Sequence, residues 1–468
     1  MKTKRAQHDN TAKEIARFVT QFHLRNVPDS IRQLAKLHIL DGFATMVGGV
    51  NENASRLLRR HFLKQRGKQE STIIGTGLRT TAKQAAFANG VQAHVLDYDD
   101  AQMATLPSRP AGQQVHPTAP VLASALAIAE ARHLSGAALL ASYIAGVEVA
   151  CRLGDAIDPV HYLDGFHPTG TLGVFGAAAA CAHLLRLGVT QTLWSLGIAG
   201  TFASGLRANR GTMAKALNAG HAAQSGVLAA ALAQTGFTAS ENIFDDPMGF
   251  FSAAAKNKLD KRLLRFGKPL FFKTPGLAIK LYPCPGTLHP MLDVLLDLVK
   301  RHDVHPDQVR KIRIAMAPEA TLPLVYDHPE DGLQAKFSLP FTTAIAIAEG
   351  EVGLRQFTDE RVANARIKRL MQKVELIRRA PTKNNRTSSE SSVEIVLSDG
   401  RMLCGHAVIA RGHPKLPASQ QDLEDKFRQC AQGTLSARSI DRFLADLWTL
   451  EHVASLPIWL GPLRPSRR

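Results

Sequence analysis

The sequence has few cysteines, and it lacks a long uninterrupted apolar run. Its five cysteines are odd in number and form no close pair, which argues against a disulfide framework and a cysteine-based zinc site and favours a reducing cytosol. No stretch of about 18 apolar residues is free of charge, so we expect no membrane span. The basic N-terminus, residues 1–5, is followed by no long apolar run, so we expect no cleaved secretory signal. The expected location is the cytoplasm.

Several common catalytic motifs are also missing from the sequence. It contains no P-loop, no Gly-x-Ser-x-Gly and no His-Glu-x-x-His. The run Gly170-x-x-Gly173-x-x-Gly176 resembles a dinucleotide fingerprint, but no strand is predicted before it. We therefore interpret this run as a helix-packing pattern, and we predict no nucleotide cofactor.

Acidic residues are scarce relative to basic ones. There are 57 Lys and Arg against 40 Asp and Glu, which gives a net charge of +17. Residues 256–273 hold seven Lys/Arg and one Asp, and residues 366–386 hold eight and one Glu. Neither run carries aromatic residues at the spacing of a base-stacking platform, so nucleic acid is not an expected partner. We interpret both as solvated faces whose positive field raises the capture rate of anionic substrates.

A chain of 468 residues with 45% apolar composition favours two domains with sizeable cores. Residues 1–275 show apolar residues at helical spacing and are rich in Ala and Gly, which predicts a tightly packed helical body. After about residue 275, alternating strands mix with helices and predict a smaller α+β domain over 276–410. The last helices, within 411–468, are expected to complete the first body. The predicted elements are helices at 10–22, 31–46, 82–93, 119–131, 136–153, 172–187, 339–349, 359–371 and 420–452, and strands at 309–316 and 392–397.

The dipeptide His-Pro occurs six times, although random pairing of 18 His and 24 Pro would give about one. Proline tolerates the first turn of a helix, so His-Pro places an imidazole just before a helix begins. A helix N-terminus lowers the pKa of a nearby imidazole and attracts carboxylates, which suits proton transfer to a bound acid. His116-Pro-Thr and His167-Pro-Thr are near copies, each with a Thr predicted to cap the next helix. The other four are His289, His305, His328 and His413. We interpret the last three as residues that only mark the start of a helix and take no part in catalysis.

Two further segments could carry chemistry. The stretch from His94 to Asp100 places three carboxylates within four residues, where one could titrate high, bind a cation or accept backbone hydrogen bonds. We predict no metal site, because no second acidic cluster or paired His motif supports one. Arg207 and Lys215 are predicted to lie in a loop between two helices rich in small residues, where a cation can hold a carboxylate or stabilise an enediolate.

Taken together, these segments resemble the MmgE/PrpD family, and the matching stretches cover most of the chain in the right order. They are residues 86–100, His116-Pro-Thr-Ala-Pro-Val, Gly165 to Gly173, the run from Arg207 to Gly226, and Lys280-Leu-Tyr-Pro-Cys284 followed by His289-Pro.

The resemblance implies a mainly α fold, with a large helical domain and a smaller α+β lid domain, and a homodimer. It implies cofactor-free proton transfer next to a carboxylate, as in 2-methylcitrate dehydratase, cis-aconitate decarboxylase and iminodisuccinate epimerase. The catalytic positions that it implies are Asp97, His116, His167, Lys215, His289 and Tyr326. We add Arg207 and His94 as substrate-binding residues.

The sequence departs from the family pattern at three places that bear on the substrate. Asn218 stands where the family often has His, and His221 is nearby. Ala101-Gln102 replaces the commoner Thr-His, and the loop from Ala101 to Val115 is longer than usual.

The expected function is that of a lyase acting on a small di- or tricarboxylate, with dehydration placed ahead of decarboxylation. One of the three histidines would act as base and another as acid, and the sequence does not assign these roles. Asp97 would orient or polarise one of them. Two alternatives remain open, namely an epimerase or isomerase on the same scaffold and a non-catalytic protein built on the basic faces.

Overall fold

Helices rich in alanine and glycine form most of the first 275 residues in the computed structural model, which describes residues 10–65, 67–102, 115–157, 159–379 and 390–465. A short antiparallel pair, β1 (Ser71–Thr72) and β2 (Arg79–Thr80), lies among them. The helices are α1 (Thr11–Gln21), α2 (Asp29–Gly48), α3 (Asn53–Phe62), α4 (Ala82–His94), α5 (Thr118–Ala131), α6 (Gly136–Ala156), α7 (Val160–Leu163), α8 (Pro168–Thr171), α9 (Gly173–Leu184), α10 (Val189–Thr201), α11 (Ala214–Gln234) and α12 (Phe250–Ala255).

Small residues allow these helices to approach closely. A Cβ built on Gly176 of α9 would come within 2.7 Å of the carbonyl oxygen of Gly146 on α6, and the reverse contact is equally short. Such a distance leaves no room for a side chain, so both positions need glycine for this packing. The glycine run at 170–176 is therefore a packing pattern, as predicted.

The lid domain, residues 276–410, combines helices with a four-stranded sheet. Its strands are β3 (Val309–Met316), β4 (Val374–Arg378), β5 (Ser391–Leu397) and β6 (Met402–Ala407), in the order β4-β3-β5-β6. β3 pairs parallel with β4 and antiparallel with β5, and β5 pairs antiparallel with β6 across the turn at residues 398–401. The helices are α13 (His289–His302), α14 (Gly332–Ala335), α15 (Leu339–Glu349), α16 (Asp359–Ala363) and α17 (Ala365–Met371).

The C-terminal helices α18 (Gln420–Ala431), α19 (Ala437–Leu447) and α20 (Leu456–Trp459) return to the first body. Residues between 12 and 279 and between 418 and 463 share one hydrophobic core, and residues between 282 and 403 share a second. The mainly α fold with a smaller α+β part is confirmed. The boundaries at 276 and 410 stay a prediction, and Leu277 and Ile279 belong to the first core although they lie just inside the predicted lid domain.

Several predicted elements differ from the observed ones. The helix expected over 359–371 is broken at Asn364, whose side chain caps α17 by accepting from the amides of Arg366 and Ile367. The helix expected over 420–452 is interrupted after α18, where Gly433 takes a positive φ. Helix α13 was missed, because its apolar residues follow directly on the His-Pro segment that we had interpreted only as a site.

Among the residues that the structure describes, one helix, α6, is long and apolar enough to cross a membrane by length and composition, and 89% of its apolar window is buried inside the protein. It also carries a buried ion pair. Arg152 donates from Nε to Glu148 at 3.0 Å, and the Glu148 carboxylate accepts the amide of Gly267 at 2.9 Å. This pair fastens the segment after α12 to α6.

Candidate active site

A pocket opens between the helical body and the lid domain, and it encloses about 590 Å³ including its open mouth. The helical body contributes Ala101, His116, Tyr162, His167, Leu206, Arg207, Arg210 and Lys215, and the segment from 280 onwards contributes Lys280, Pro285, Gly286, Thr287, Pro323 and Phe337.

The acidic turn after α4, residues 95–100 (the Asp97 turn), lies beside this pocket. Asp97 adopts φ 53°, a left-handed conformation that is uncommon for a residue with a side chain. Its carboxylate bridges two ammonium groups, since Lys215 bonds to Oδ1 and Lys280 lies 3.1 Å from Oδ2. Ala101 and Ala278 exchange two backbone hydrogen bonds of 2.9 Å, which hold the Lys280 segment against the turn.

The charges of this group are strongly coupled. Burial alone would raise the pKa of Asp97, but Lys215 and Lys280 outweigh it and hold that pKa well below its ordinary value. Burial lowers the pKa of Lys215, and Asp97 opposes this effect. The aspartate therefore stays ionised at neutral pH.

His116 and His167 both line the pocket, and burial lowers the pKa of each well below its ordinary value. Both imidazoles are therefore neutral at pH 7, and their partners fix the position of the remaining proton. His116 Nδ1 lies 2.9 Å from the carbonyl oxygen of Asp100, which can only accept, so its Nε2 has a free lone pair. His167 Nδ1 lies 3.0 Å from the amide nitrogen of Asn218, which donates, so its Nε2 carries the proton.

Backbone pairing brings His167 and Arg207 to the same wall of the pocket. The amide of His167 donates to the carbonyl of Gly205 at 3.0 Å, and that of Arg207 donates to the carbonyl of Gly165 at 2.8 Å. The Arg207 guanidinium stacks 3.6 Å above the ring of Tyr162. Its Nε is buried and has no hydrogen-bond partner among the described residues.

His94 lies behind these groups rather than in the pocket lining. Its Nδ1 is 2.8 Å from Asp99, and its ring centroid is 4.9 Å from that of His116 and 5.4 Å from that of His167. Burial lowers its pKa well below the ordinary value. The prediction that His94 binds substrate stays untested, and its position favours contact with both pocket histidines.

One group within the described residues could hold a metal ion by geometry. His94, Asp99 and His116 each offer a ligand atom within 4.8 Å of the others. Sequence reasoning missed this cluster, because His116 lies 16 positions after Asp100 along the chain. Both Nδ1 atoms already have oxygen partners, and the prediction of no metal stays a prediction.

His289 and Tyr326 lie outside the pocket lining. His289 begins α13, is buried, and its Nε2 lies 3.3 Å from the carbonyl oxygen of Cys284. Burial lowers its pKa to about 3. Tyr326 donates to the carbonyl of Arg210 at 3.2 Å, and its ring fills the space beside Gly211, where φ is +77°. Tyr326 thus joins the lid domain to the loop before α11.

Two sequence expectations about this region are wrong. Lys215 lies in the first turn of α11 rather than in a loop, since Ala and Leu around it favour helix. The threonines after His116 and His167 do not cap helices. The Thr118 hydroxyl instead donates to Asp100 at 2.6 Å, and the Thr169 hydroxyl accepts the amide of His116 at 3.2 Å.

Sequence reasoning also missed two cations in the pocket. Lys280 was quoted only as part of a matching stretch, and Arg210 only as part of the run around Lys215. The Arg210 guanidinium donates to the hydroxyl of Tyr162 at 3.0 Å and to the carbonyl of Leu322 at 2.8 Å. The long loop expected from Ala101 to Val115 lies outside the described residues over 103–114.

The chain belongs to the MmgE/PrpD family. Residues 13–262 match the MmgE/PrpD N-terminal domain, and residues 282–450 match the MmgE/PrpD C-terminal domain. The resemblance found in the sequence is thus confirmed.

Relatives with known names cover nearly the whole chain at low identity. The chain is 27% identical to cis-aconitate decarboxylase of Homo sapiens, over 96% of this chain and 95% of the relative. It is 26% identical to cis-aconitate decarboxylase of Mus musculus, over 92% and 88%. It is 22% identical to a cis-aconitate decarboxylase-like protein of Aspergillus oryzae, over 96% of each.

Proposed function

We propose that this protein is a cofactor-independent lyase that decarboxylates a small tricarboxylate of the cis-aconitate type. The proposal rests on two neutral imidazoles in a pocket lined by four cations. One imidazole carries its proton at Nε2, and the other carries it at Nδ1. His167 presents a proton at Nε2, and His116 presents a lone pair at Nε2.

The named relatives are decarboxylases, and this confirms the prediction that the chain is a lyase. Our expectation from the sequence placed dehydration first. The names of the relatives reverse that order, so decarboxylation is now the first candidate.

The charge of the pocket suits a substrate with several carboxylates. Four cationic side chains line it, and the Asp97 carboxylate neutralises only part of their charge. Guanidinium groups can bind a carboxylate with two hydrogen bonds, whereas ammonium groups act as compact point charges. The four cations are Arg207, Arg210, Lys215 and Lys280.

Decarboxylation breaks the bond between a carbon and its carboxylate, and the electron pair of that bond stays on the carbon. In an unsaturated tricarboxylate this pair spreads over the neighbouring double bond and a remaining carboxylate, where a nearby ammonium group stabilises it. A proton must then reach one of the carbons that share this pair. His167 is placed to donate it from Nε2, while Asn218 holds Nδ1 as an acceptor.

Dehydration of a hydroxytricarboxylate is the second candidate, because it needs a base as well as an acid. His116 offers that base, since its Nδ1 hydrogen is engaged by the carbonyl of Asp100. We also propose a homodimer, a cytoplasmic location, and no nucleic acid or membrane partner. The homodimer is proposed from the family resemblance. The cytoplasmic location accords with five free cysteines, four of them buried.

The test is NMR of the purified protein with cis-aconitate, 2-methylcitrate and related acids, without added metal or nucleotide. We expect cis-aconitate to lose carbon dioxide and yield a five-carbon unsaturated dicarboxylate. Loss of water from 2-methylcitrate alone would favour the dehydratase, and solvent exchange without loss of either would favour the epimerase. Near-wild-type turnover by Lys215→Ala and His167→Ala together would contradict the site assignment.

A further inference from the structure

Three buried lysines hold three successive carbonyl groups of the Asp97 turn. Each ammonium group donates to one main-chain oxygen of this turn: Lys336 to Leu96 at 2.7 Å, Lys280 to Asp97 at 3.0 Å and Lys426 to Tyr98 at 2.8 Å. We call Lys280, Lys336 and Lys426 the lysine clamp.

The three lysines come from separate parts of the fold. Lys336 follows α14 in the lid domain, Lys280 lies near the start of that domain before α13, and Lys426 lies in α18. They are 240, 183 and 328 positions from the carbonyls that they bind. Local sequence therefore cannot account for this arrangement, and tertiary packing has to bring these segments together.

The turn itself needs support. The left-handed φ of 53° at Asp97 carries a backbone cost of roughly 1–3 kcal/mol. Its carbonyls are buried, and a buried carbonyl without a partner is also unfavourable. The lysine clamp satisfies the oxygens on both sides of Asp97 and thereby fixes the direction of its carboxylate.

Lys426 is the most highly connected member of the clamp. Besides the carbonyl of Tyr98, it donates to Asp41 at 2.5 Å and to the carbonyl of Lys280 at 2.8 Å. Its ammonium lies 3.7 Å from the centroid of the Tyr98 ring. One side chain thus joins the segment that carries Asp97 to the segment that carries Lys280.

Lys336 links the same turn to the lid domain. It is buried, and its second partner is the carbonyl of Pro283 at 3.3 Å. The next residue, Phe337, lines the pocket, and its ring centroid lies 5.3 Å from the ammonium of Lys215. Lys336 therefore connects the residues after α14 to the Asp97 turn.

We propose that Lys336 and Lys426 are positioning residues, which hold the Asp97 turn so that its carboxylate can bridge Lys215 and Lys280. This inference rests on the proposed function, in which those two ammonium groups bind and stabilise the substrate. Neither Lys336 nor Lys426 lines the pocket, so each acts through the turn.

A buried lysine elsewhere in the helical body supplies a matched control. Lys36 is 1% exposed, and it donates to the carbonyl of Trp448 at 2.6 Å and to Glu451 at 3.0 Å. Lys36→Met removes a buried ammonium from a structural site and leaves the clamp in place. If the clamp substitutions lowered kcat only by destabilising the protein, Lys36→Met should lower kcat as well.

The kinetic test compares Lys336→Met and Lys426→Met with Lys36→Met on cis-aconitate. Lys426→Met is combined with Asp41→Asn, so that no unpaired charge is left buried. We expect kcat to fall by roughly 10- to 100-fold for the two clamp variants, since a small misplacement of a catalytic group costs on this order. KM should stay within about threefold, because the pocket cations remain, and Lys36→Met should keep kcat while its unfolding midpoint falls. An equal loss of kcat in Lys36→Met would overturn the proposal.

Crystal structures of the two clamp variants provide a readout that does not depend on activity. We expect Asp97 to leave the left-handed region and its carboxylate to separate from Lys215. An unchanged turn in both variants would also overturn the proposal. If the wild-type protein turns over no polycarboxylate, the proposed function fails, and the structures still decide the role of the clamp.

Discussion

Replacing Asp97 with Asn removes the single carboxylate between the ammonium groups of Lys215 and Lys280. At the 3.1 Å that separates Asp97 Oδ2 from Lys280 Nζ, a charge pair interacts by about 5 kcal/mol at an effective dielectric constant of about 20. Much of this attraction offsets the cost of burying the charges. Breaking a buried pair nevertheless destabilises a protein by about 3–5 kcal/mol, because the remaining charges are left without compensation. We expect Asp97→Asn to lose this much free energy of unfolding in urea denaturation.

The same change should lower kcat on cis-aconitate by roughly 100-fold or more, because Lys215 is no longer held in place. Glu148→Gln is the matched control, since it breaks a buried ion pair with Arg152 that lies away from the pocket. This control should lose comparable stability and keep kcat. Asp97→Asn with wild-type kcat, or Glu148→Gln with an equal loss of kcat, would refute the assignment of Asp97.

Two other predictions follow from the histidines. Asn218→Leu removes the donor to His167 Nδ1, so the imidazole can take the other tautomer. We expect kcat to fall by roughly 10- to 100-fold with little change in KM. An unchanged kcat would show that Asn218 does not set the tautomer. The pKa of His289 is about 3 in the folded protein and about 6.5 when unfolded, so its contribution to stability is present above pH 6.5 and is lost as the pH falls. When the pH is lowered from 7 to 5, the wild-type protein should therefore lose about 2 kcal/mol more free energy of unfolding than His289→Gln. Urea titrations of both proteins at the two pH values measure this difference. The same loss in both proteins would contradict the low pKa of His289.

Regular elements with clear periodicity could be predicted from the sequence. Strand Val309–Met316 and helix Leu339–Glu349 have the predicted bounds, because each has a uniform pattern between clear breakers. The break at Asn364 was missed, since the same helical spacing continues across it and only the capping hydrogen bonds reveal the new start.

The candidate site was predictable in part. His116, His167, Asp97 and Lys215 lie in segments with recognisable patterns, and the structure brings them together around one pocket. Lys280 and the rest of the lysine clamp were not predictable, because a single lysine in a sequence is most often on the surface. Only the convergence of distant segments shows that these lysines are buried and bound to one turn.

The roles of the two pocket histidines also required the structure. A histidine before a proline says nothing about its tautomer, which depends on the atom opposite each ring nitrogen. The carbonyl of Asp100 and the amide of Asn218 lie 16 and 51 positions away along the chain from the histidines that they bind.

The most direct measurement is the turnover of cis-aconitate in deuterium oxide, followed by proton and carbon NMR without added metal or nucleotide. The account predicts release of carbon dioxide and a five-carbon product that carries a single deuterium at one of the carbons over which the electron pair spreads. Recovery of cis-aconitate without loss of carbon dioxide, or with deuterium exchange alone, would contradict it.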